Sequence, residues 1–231
     1  MRRSRSIHDQ LSGISVVTTR VAACVDLIEL DLFYDYNCPF VYRSTLMLDS
    51  VRTSGERDVK VNWRFFSLTQ VNYRPGSADD AWTVWGAGDS EHVRGRLAFK
   101  AAEAARRQGA FDSFHLALLH ARHRDGFDIE SADVIEQVSE EVGLDLERLR
   151  KDLADPHILG VLERDHQEGR SRYGVFGTPT YVFPDGSAAY VRLAHAPSGA
   201  EAVSIFDRIV AVTEDEPAIL EIKRPVRPSP D

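Results

Sequence analysis

The sequence predicts an α/β fold with an all-helical stretch in the middle of the chain. Three observations lead to this prediction. Strand and helix patterns alternate near the start, helical patterns follow one another through the middle, and two short strand patterns precede a last helix. No segment repeats at a fixed period, so an array of repeated units is not expected.

The composition limits the class of protein. The 231 residues suit one domain, or one domain with a large insertion. The net charge of −8 argues against nucleic acid as the main partner, and no apolar run reaches the ~20 residues of a membrane-spanning helix. Two cysteines, Cys24 and Cys38, are too few for a disulfide framework or a cysteine-rich zinc module. We therefore expect a cytoplasmic protein with no membrane partner and no metal site.

The first block of the chain has the patterns of a strand, a helix and a second strand. Leu27–Tyr34 is rich in large apolar residues and ends at polar ones, which is typical of a strand. Pro39 suits the first turn of a helix, which we expect to run to about Arg52. Residues 59–65 alternate between apolar and polar side chains, as a half-buried strand does, and residues 72–77 break all periodicity.

Helical patterns fill the middle of the chain, and capping residues mark several of their starts. Ser131 and Asp145 stand where the side chain of an N-cap residue is expected, and Asp155 precedes a proline that suits the first helical position. The predicted helices are residues 91–108, 111–123, 131–143, 145–153 and 155–174.

Near its end the chain has the patterns of two short strands and a last helix. Thr180–Phe183 and Ala188–Arg192 are predicted strands joined by a Pro-Asp-Gly turn. Ser198 and Glu201 have the spacing of a capping box, so the last helix is expected to begin there.

A candidate nucleophile, Cys38, lies where the first strand gives way to the first helix. Backbone N–H groups at the start of a helix have no helical partner, and the helix dipole adds partial positive charge there. Both effects stabilise a thiolate, which is the reactive form of cysteine. On this segment alone, an inert buried cysteine remains the alternative.

A second candidate feature is the Thr178–Pro179 pair, which follows Gly177 and opens a predicted strand. A proline at this position can occupy a tight turn with a cis peptide bond. Because most X–Pro bonds are trans, an ordinary trans proline at a strand start remains open from this segment alone.

Together the two features resemble the DsbA-like family of thiol-disulfide oxidoreductases, including its FrnE-type cytoplasmic relatives. The resemblance rests on the Cys-Pro pair after the first strand, on the sequence FGTPT at 176–180, and on matches at residues 61–68 and 109–115. It covers about residues 26–215. The resemblance implies a thioredoxin-like fold with an inserted all-helical domain, in which residues 176–180 form a loop with a cis proline.

This resemblance also implies a division of the chain. Residues 26–75 and 171–215 would form a discontinuous thioredoxin-like domain, and residues 76–170 the helical insertion. Residues 1–25 would be an N-terminal extension, favoured over an export signal because Thr18 to Arg20 interrupt the apolar stretch. Residues 216–231 would be a proline-rich tail.

The sequence departs from the redox members of this family at one decisive position. Those members carry Cys-X-X-Cys, and here the fourth position is Val41. A dithiol cycle ends when the second cysteine attacks the mixed disulfide, so this chain cannot complete the cycle alone. Cys24 lies before the start of a strand of eight residues that Cys38 follows, which separates the two thiols by over ~20 Å. A disulfide needs Cα atoms within ~7 Å, so Cys24 is not expected to substitute.

These points predict a single-cysteine oxidoreductase and leave two alternatives open. Cys38 would be the catalytic thiolate, and a low-molecular-weight thiol, glutathione or mycothiol, would be the co-substrate that resolves its adduct, with no tightly bound cofactor. Kappa-class glutathione transferases and 2-hydroxychromene-2-carboxylate isomerases are similar around residues 35–39 but typically place serine at the position of Cys38. A non-catalytic binding relative is the other alternative. The partner would be a small-molecule thiol or disulfide, and a homodimer is one oligomeric state that the sequence allows.

Further residues are expected to contact the substrate or to be structural. The resemblance places the substrate against Pro39, Phe40, Thr178 and Pro179. Trp82 and Trp85 could line an apolar substrate groove or anchor the long loop. Three histidines on one predicted helix, His115, His120 and His123, have spacings that do not put all of them on one face, so no zinc site is expected.

Overall fold

A four-stranded sheet forms the centre of the molecule. The structure is a computed structural model, and it describes residues 27–74, 82–88 and 91–224. The strands are β1 (Leu27–Tyr34), β2 (Asp58–Phe65), β3 (Thr180–Val182) and β4 (Ala188–Tyr190), in the order β2-β1-β3-β4. β1 pairs in parallel with β2 and antiparallel with β3, and β4 is antiparallel to β3. Strands from both ends of the chain therefore build one sheet.

Eight helices lie among the described residues, and six of them stand between β2 and β3. Their bounds are α1 (Pro39–Ser54), α2 (Leu68–Asn72), α3 (Arg96–Arg107), α4 (Phe111–His123), α5 (Ala132–Glu141), α6 (Leu146–Leu153), α7 (Leu159–Tyr173) and α8 (Gly199–Glu214). The predicted positions of β1 and α4 agree with the structure at both ends, and β3 ends one residue before the predicted Phe183.

The two faces of β1 pack against different helices. Leu32 and Tyr34 belong to the large core cluster, which also includes buried residues of α1, α3, α4 and α8. Phe33 points to the other face, where it packs with Phe66 in a second cluster. On that face Gly169 of α7 lies so close to the Phe33 ring that an added Cβ would be 2.7 Å from it. Because successive side chains of β1 point to opposite faces of the sheet, the strand packs against a layer of helices on each face.

Two predicted helix starts are wrong, and in each case a local backbone interaction explains the later start. The helix predicted from residue 91 begins at Arg96, because Gly95 has a φ of 87° and the carboxylate of Glu130 accepts a hydrogen bond from its N–H. The helix predicted from Asp155 begins at Leu159. The Asp155 carboxylate accepts a hydrogen bond from the N–H of His157 in a turn that precedes the helix.

Capping was predicted with mixed success. The Asp145 side chain accepts hydrogen bonds from the N–H groups of two residues in the first turn of α6, as expected. Ser131 and Ser198 stand at their predicted N-cap positions, but their side chains make no capping hydrogen bond. The predicted capping box does not form, and the Glu201 carboxylate contacts His195. The sequence interpretation also missed α2.

Several expectations lie outside the described residues. These are the N-terminal extension at 1–25 with Cys24, the part of the 72–77 break that follows residue 74, and the end of the proline-rich tail from residue 225. The described part of the tail, residues 216–224, contains no helix or strand. None of the described helices is long and apolar enough to cross a membrane.

Candidate active site

Cys38 occupies the N-cap position of α1, directly after the turn that leaves β1. Its backbone is extended, with φ −89° and ψ 113°, and Pro39 follows at the first helical position. The Cys38 carbonyl accepts hydrogen bonds from the N–H groups of Val41 and Tyr42 at 3.1 and 3.4 Å. The thiol therefore stands at the positive end of the helix dipole, as the sequence predicted.

A buried carboxylate holds the turn before Cys38. One oxygen of Asp35 accepts a hydrogen bond from the Asn37 N–H at 2.8 Å, and the other accepts one from the Leu68 N–H at 2.7 Å. The backbone carbonyl of Asp35 accepts the N–H of Cys38 at 3.0 Å. Burial raises the pKa of the Asp35 carboxyl, and its hydrogen bonds oppose that rise. Asp35 therefore links the cysteine turn to the segment that follows β2.

The loop before β3 brings its backbone to the Cys38 thiol. The Thr178–Pro179 bond is cis, as the resemblance implies. The Cys38 Sγ donates a hydrogen bond to the Thr178 carbonyl oxygen at 3.2 Å, across 140 positions of sequence. The Pro179 carbonyl accepts the Val191 N–H at 3.2 Å, which ties the loop to the end of β4. The two features that were separate in the sequence thus form one site.

Val41 lies on the first turn of α1, at the position where the redox relatives place their second cysteine. Its side chain is fully buried. Cys38 itself is 4% exposed, so only a small part of its surface meets solvent. Cys38 is the one free cysteine among the described residues. Within that part of the chain, no second thiol stands ready to resolve an adduct on Cys38.

Two arginines lie over the ring of Phe40, which is in the first turn of α1. The guanidinium carbon of Arg192 lies 4.0 Å from the centre of the Phe40 ring, and that of Arg43 lies 5.2 Å from it. Sequence reasoning selected Phe40 but missed both arginines. The alternation in the predicted 188–192 strand places Tyr190 and Arg192 on the same side of the strand. Nothing in the sequence indicates that this side faces the segment that carries Cys38.

Two exposed aromatic side chains stand beside the cis-proline loop. Phe176 is 65% exposed and Tyr190 is 38% exposed, and their ring centres are 4.9 Å apart. The Tyr190 ring lies against the backbone of Gly177, where an added Cβ would be 3.2 Å from it. Burial raises the pKa of Tyr190, the positive charge of Arg192 lowers it, and Cys38 raises it. Tyr190 therefore packs against the cis-proline loop, although the sequence interpretation did not select it.

The tryptophans selected from the sequence make their contacts at the loop between β2 and α3. The Trp82 indole N–H donates to Glu91 at 2.7 Å, and its ring packs 4.5 Å from Tyr73. The Trp85 ring lies 5.3 Å from that of His166 on α7. These are contacts of the kind that anchor a loop, and the contacts that define the Cys38 site come from other residues.

All three histidines of α4 contact the segment that carries Cys38. His123 donates from Nε2 to the Tyr36 carbonyl at 2.8 Å, and His115 hydrogen-bonds to the Tyr36 hydroxyl at 3.2 Å. His120 hydrogen-bonds to the Tyr42 hydroxyl at 3.0 Å. Their partners are three different atoms of that segment. Burial lowers the pKa of each, and for His115 to about 3. No group of histidine, cysteine or acidic residues in the described ranges could hold a metal ion.

Comparison with known proteins gives a family match over most of the chain. A family model described as the DSBA-like thioredoxin domain matches residues 29–204. An uncharacterised protein of Mycobacterium tuberculosis is 27% identical, and the match covers 87% of this chain and 83% of that protein. The Na⁺/H⁺ antiporter NhaA 3 of Salinispora tropica is 30% identical over 74% of this chain, which spans only 21% of the antiporter.

Solved structures have the same architecture. A probable DsbA oxidoreductase from Streptomyces coelicolor superposes with a TM-score of 0.56 at 16% identity, covering 85% of this chain and 94% of that one. A 2-hydroxychromene-2-carboxylate isomerase also has a TM-score of 0.56, at 14% identity, covering 80% of this chain and 94% of that one. At such identities these structures show the fold alone. They confirm the predicted thioredoxin-like fold.

Proposed function

Because this chain belongs to the DSBA-like thioredoxin domain family, we propose that it is a thiol-dependent oxidoreductase that acts through the single cysteine Cys38. The observation that carries the proposal is the 3.2 Å contact between the Cys38 Sγ and the Thr178 carbonyl, at the N-terminus of α1. This contact puts a nucleophile at the N-terminus of a helix beside a backbone edge that can receive an extended substrate.

The first step is exchange between the Cys38 thiolate and a substrate disulfide. The thiolate attacks one sulfur, the substrate S–S bond breaks, and a new bond joins that sulfur to Cys38. The other substrate sulfur leaves as a thiolate and takes up a proton from water. No electrons are gained or lost overall, because one disulfide replaces another.

The second step needs a thiol from outside the chain. Val41 cannot attack the mixed disulfide, so a low-molecular-weight thiol, glutathione or mycothiol, attacks the Cys38 sulfur: the substrate leaves as a thiolate that takes up a proton, and a disulfide joins the small thiol to Cys38. A second small thiol attacks that disulfide, and the products are the oxidised small-thiol dimer and the regenerated Cys38 thiolate. A cytoplasmic location, where small thiols are kept reduced, suits this cycle.

The substrate would bind along the cis-proline loop. The Thr178 carbonyl already accepts the Cys38 thiol, and the backbone of Thr178 would pair with an extended segment once that thiol has reacted. Pro39, Phe40 and Pro179 would contact the substrate near the reacting sulfur. A substrate-binding role for Trp82 and Trp85 would require a substrate long enough to reach the loop before α3.

A second candidate function is the isomerase activity of the structural relatives. The observation in its favour is the similarity of the fold, since the isomerase superposes as well as the oxidoreductase does. The isomerase relatives that the sequence resembles typically carry serine at the position of Cys38. This alternative therefore expects Cys38→Ser to keep activity, whereas the oxidoreductase proposal expects its loss.

The test is intact-mass analysis and a glutathione- or mycothiol-coupled disulfide exchange assay on wild type and Cys38→Ser. We expect wild type purified without reductant to carry a small-thiol adduct that maps to Cys38, and we expect turnover to vanish in the variant. Cys24→Ser is the matched control and should keep both adduct and turnover. Full turnover in Cys38→Ser would reject the oxidoreductase assignment.

A further inference from the structure

Two guanidinium groups lie against one aromatic ring in the first turn of α1, the helix that Cys38 caps. Arg192 is exposed and stacks on Phe40 with 4.0 Å from its guanidinium carbon to the ring centre. Arg43 approaches the same ring at 5.2 Å and donates to the Leu193 carbonyl at 2.8 Å. A guanidinium that stacks on a ring keeps its N–H groups at the edge, free to donate in its own plane.

These arginines are not neutralised within the described residues. Arginines elsewhere, such as Arg64 and Arg107, bind carboxylates at 2.6 to 3.1 Å. Within the part of the chain that the structure describes, neither Arg43 nor Arg192 has a carboxylate within ion-pair distance. The protein as a whole carries a net charge of −8. The two arginines therefore form a local region of positive charge in a negatively charged protein.

The position of these cations ties them to the site. Phe40, the ring between them, lies two residues after Cys38 in the first turn of α1. Arg192 follows Val191, whose N–H binds the carbonyl of Pro179 in the cis-proline loop. Pro179 in turn adjoins Thr178, whose carbonyl oxygen lies 3.2 Å from the Cys38 Sγ. A molecule joined to Cys38 through sulfur would therefore lie on the side of the fold where Arg192 stacks on Phe40.

We propose that the Arg192 guanidinium, with Arg43 beside it, selects a carboxylate-bearing thiol as the partner of Cys38. This inference rests on the proposed function and names the class of its co-substrate. Planar guanidinium groups bind carboxylates through paired hydrogen bonds. Glutathione carries a net negative charge and free carboxylates at neutral pH, whereas mycothiol has no carboxylate. Of the two thiols considered, the site suits glutathione or another acidic thiol.

The reaction that tests the proposal is the formation of a mixed disulfide on Cys38. The Cys38 thiolate attacks one sulfur of a symmetrical disulfide, the S–S bond breaks, and half of the probe remains bound while the other half leaves as a thiolate. Three probes differ in charge: oxidised glutathione is anionic, bis(2-hydroxyethyl) disulfide is neutral and cystamine is cationic. Intact-mass analysis over time gives the rate constant for each.

The measured quantity is the ratio of the glutathione rate to the hydroxyethyl rate, which cancels changes in the intrinsic reactivity of Cys38. We expect Arg192→Gln to lower this ratio about tenfold, the size of a lost hydrogen-bonded charge pair. Arg192→Lys should lose less, because it keeps the charge without the planar geometry. Cystamine should show the reverse trend, and salt near ~1 M should lower the wild-type ratio by screening.

Arg170→Gln is the matched control, because it removes one exposed cation from α7 on the other face of the sheet. It should leave all three rates unchanged. An unchanged ratio in Arg192→Gln, or an equal fall in Arg170→Gln, would overturn the inference and leave the proposed function standing. If Cys38 reacted with none of the three probes, both proposals would fall together.

Discussion

Val41→Cys should convert the single-cysteine protein into one that cycles between a dithiol and a disulfide. Residues three apart on an α-helix have Cα atoms about 5 Å apart, from a rise of about 1.5 Å per residue and a Cα radius of about 2.3 Å, and a disulfide accepts Cα separations of about 4.4–6.8 Å. Cys38 and Val41 have this spacing at the start of α1, with the Val41 N–H bound to the Cys38 carbonyl at 3.1 Å. The introduced thiol therefore needs no movement of the backbone to reach Cys38.

The stability cost of this substitution should be modest. Val41 is fully buried, and replacing it with cysteine removes about one methyl group from the core, which costs about 1 kcal/mol. In a domain of this size, such a loss lowers the melting temperature by about 2–4 °C. Oxidation then closes a loop from residue 38 to residue 41. The disulfide lowers the entropy of the unfolded chain, which stabilises the folded state of the oxidised variant by about 2 kcal/mol. The oxidised variant should therefore melt above the reduced one.

The assay is the reduction of insulin disulfides, followed by turbidity with a small thiol as electron donor. Wild type should reduce insulin only slowly, because its mixed disulfide has no internal resolving thiol and must wait for the external one. Val41→Cys should raise the rate clearly and should yield, after oxidation, a peptide with a disulfide across residues 38–41. All variants are best compared in a Cys24→Ser background, so that the other native thiol plays no part.

Val51→Cys provides a matched control for an added buried thiol. Val51 is also fully buried and also lies on α1, but 13 residues of helix place it about 20 Å from Cys38. This variant should lose similar stability and gain no insulin reduction. Equal activity of the two variants would contradict the geometric reasoning, and so would a Val41→Cys protein that forms no disulfide with Cys38.

Three further predictions concern stability. Gly169→Ala should destabilise the fold by about 1–3 kcal/mol because its Cβ would lie 2.7 Å from the buried ring of Phe33. An added Cβ at Gly160, in the same helix, would lie in open space, so Gly160→Ala should raise the free energy of unfolding by about 0.5–1 kcal/mol. Urea unfolding measures both variants, and a change of the same sign in both would refute the packing argument. Burial lowers the pKa of His115 to about 3. As pH falls below about 6.5, the imidazole takes up a proton in the unfolded chain but not in the folded one, so the free energy of unfolding decreases between about pH 6.5 and 3. His115→Phe should therefore flatten the fall in unfolding free energy between pH 6.5 and 4, and an unchanged slope would count against a neutral buried imidazole. Asp145→Ala removes the cap of α6 and should cost about 1 kcal/mol in thermal unfolding, whereas no measurable loss would show that the cap contributes nothing.

The sequence alone was sufficient wherever structure depends on neighbours along the chain. Strand β1 and helix α4 were predicted to the residue because apolar periodicity and their polar ends are local signals. The position of Cys38 at the N-terminus of α1 was also predicted from a local signal, because Pro39 marks the first helical position. Its pairing with the cis-proline loop came from the resemblance of two motifs, and the contact with Thr178 agrees with it.

Tertiary structure alone decided features that depend on residues far apart in the chain. Helix α3 starts late because Glu130, 35 positions away, binds the N–H of Gly95. The stacking of Arg192 on Phe40 joins the end of β4 to the first turn of α1, and no periodicity in either segment points to the other. Local patterns record which face of an element is buried, but they do not record its partner, because burial is favourable against any apolar surface. The charge and the shape beside Cys38 are therefore properties of the packed fold.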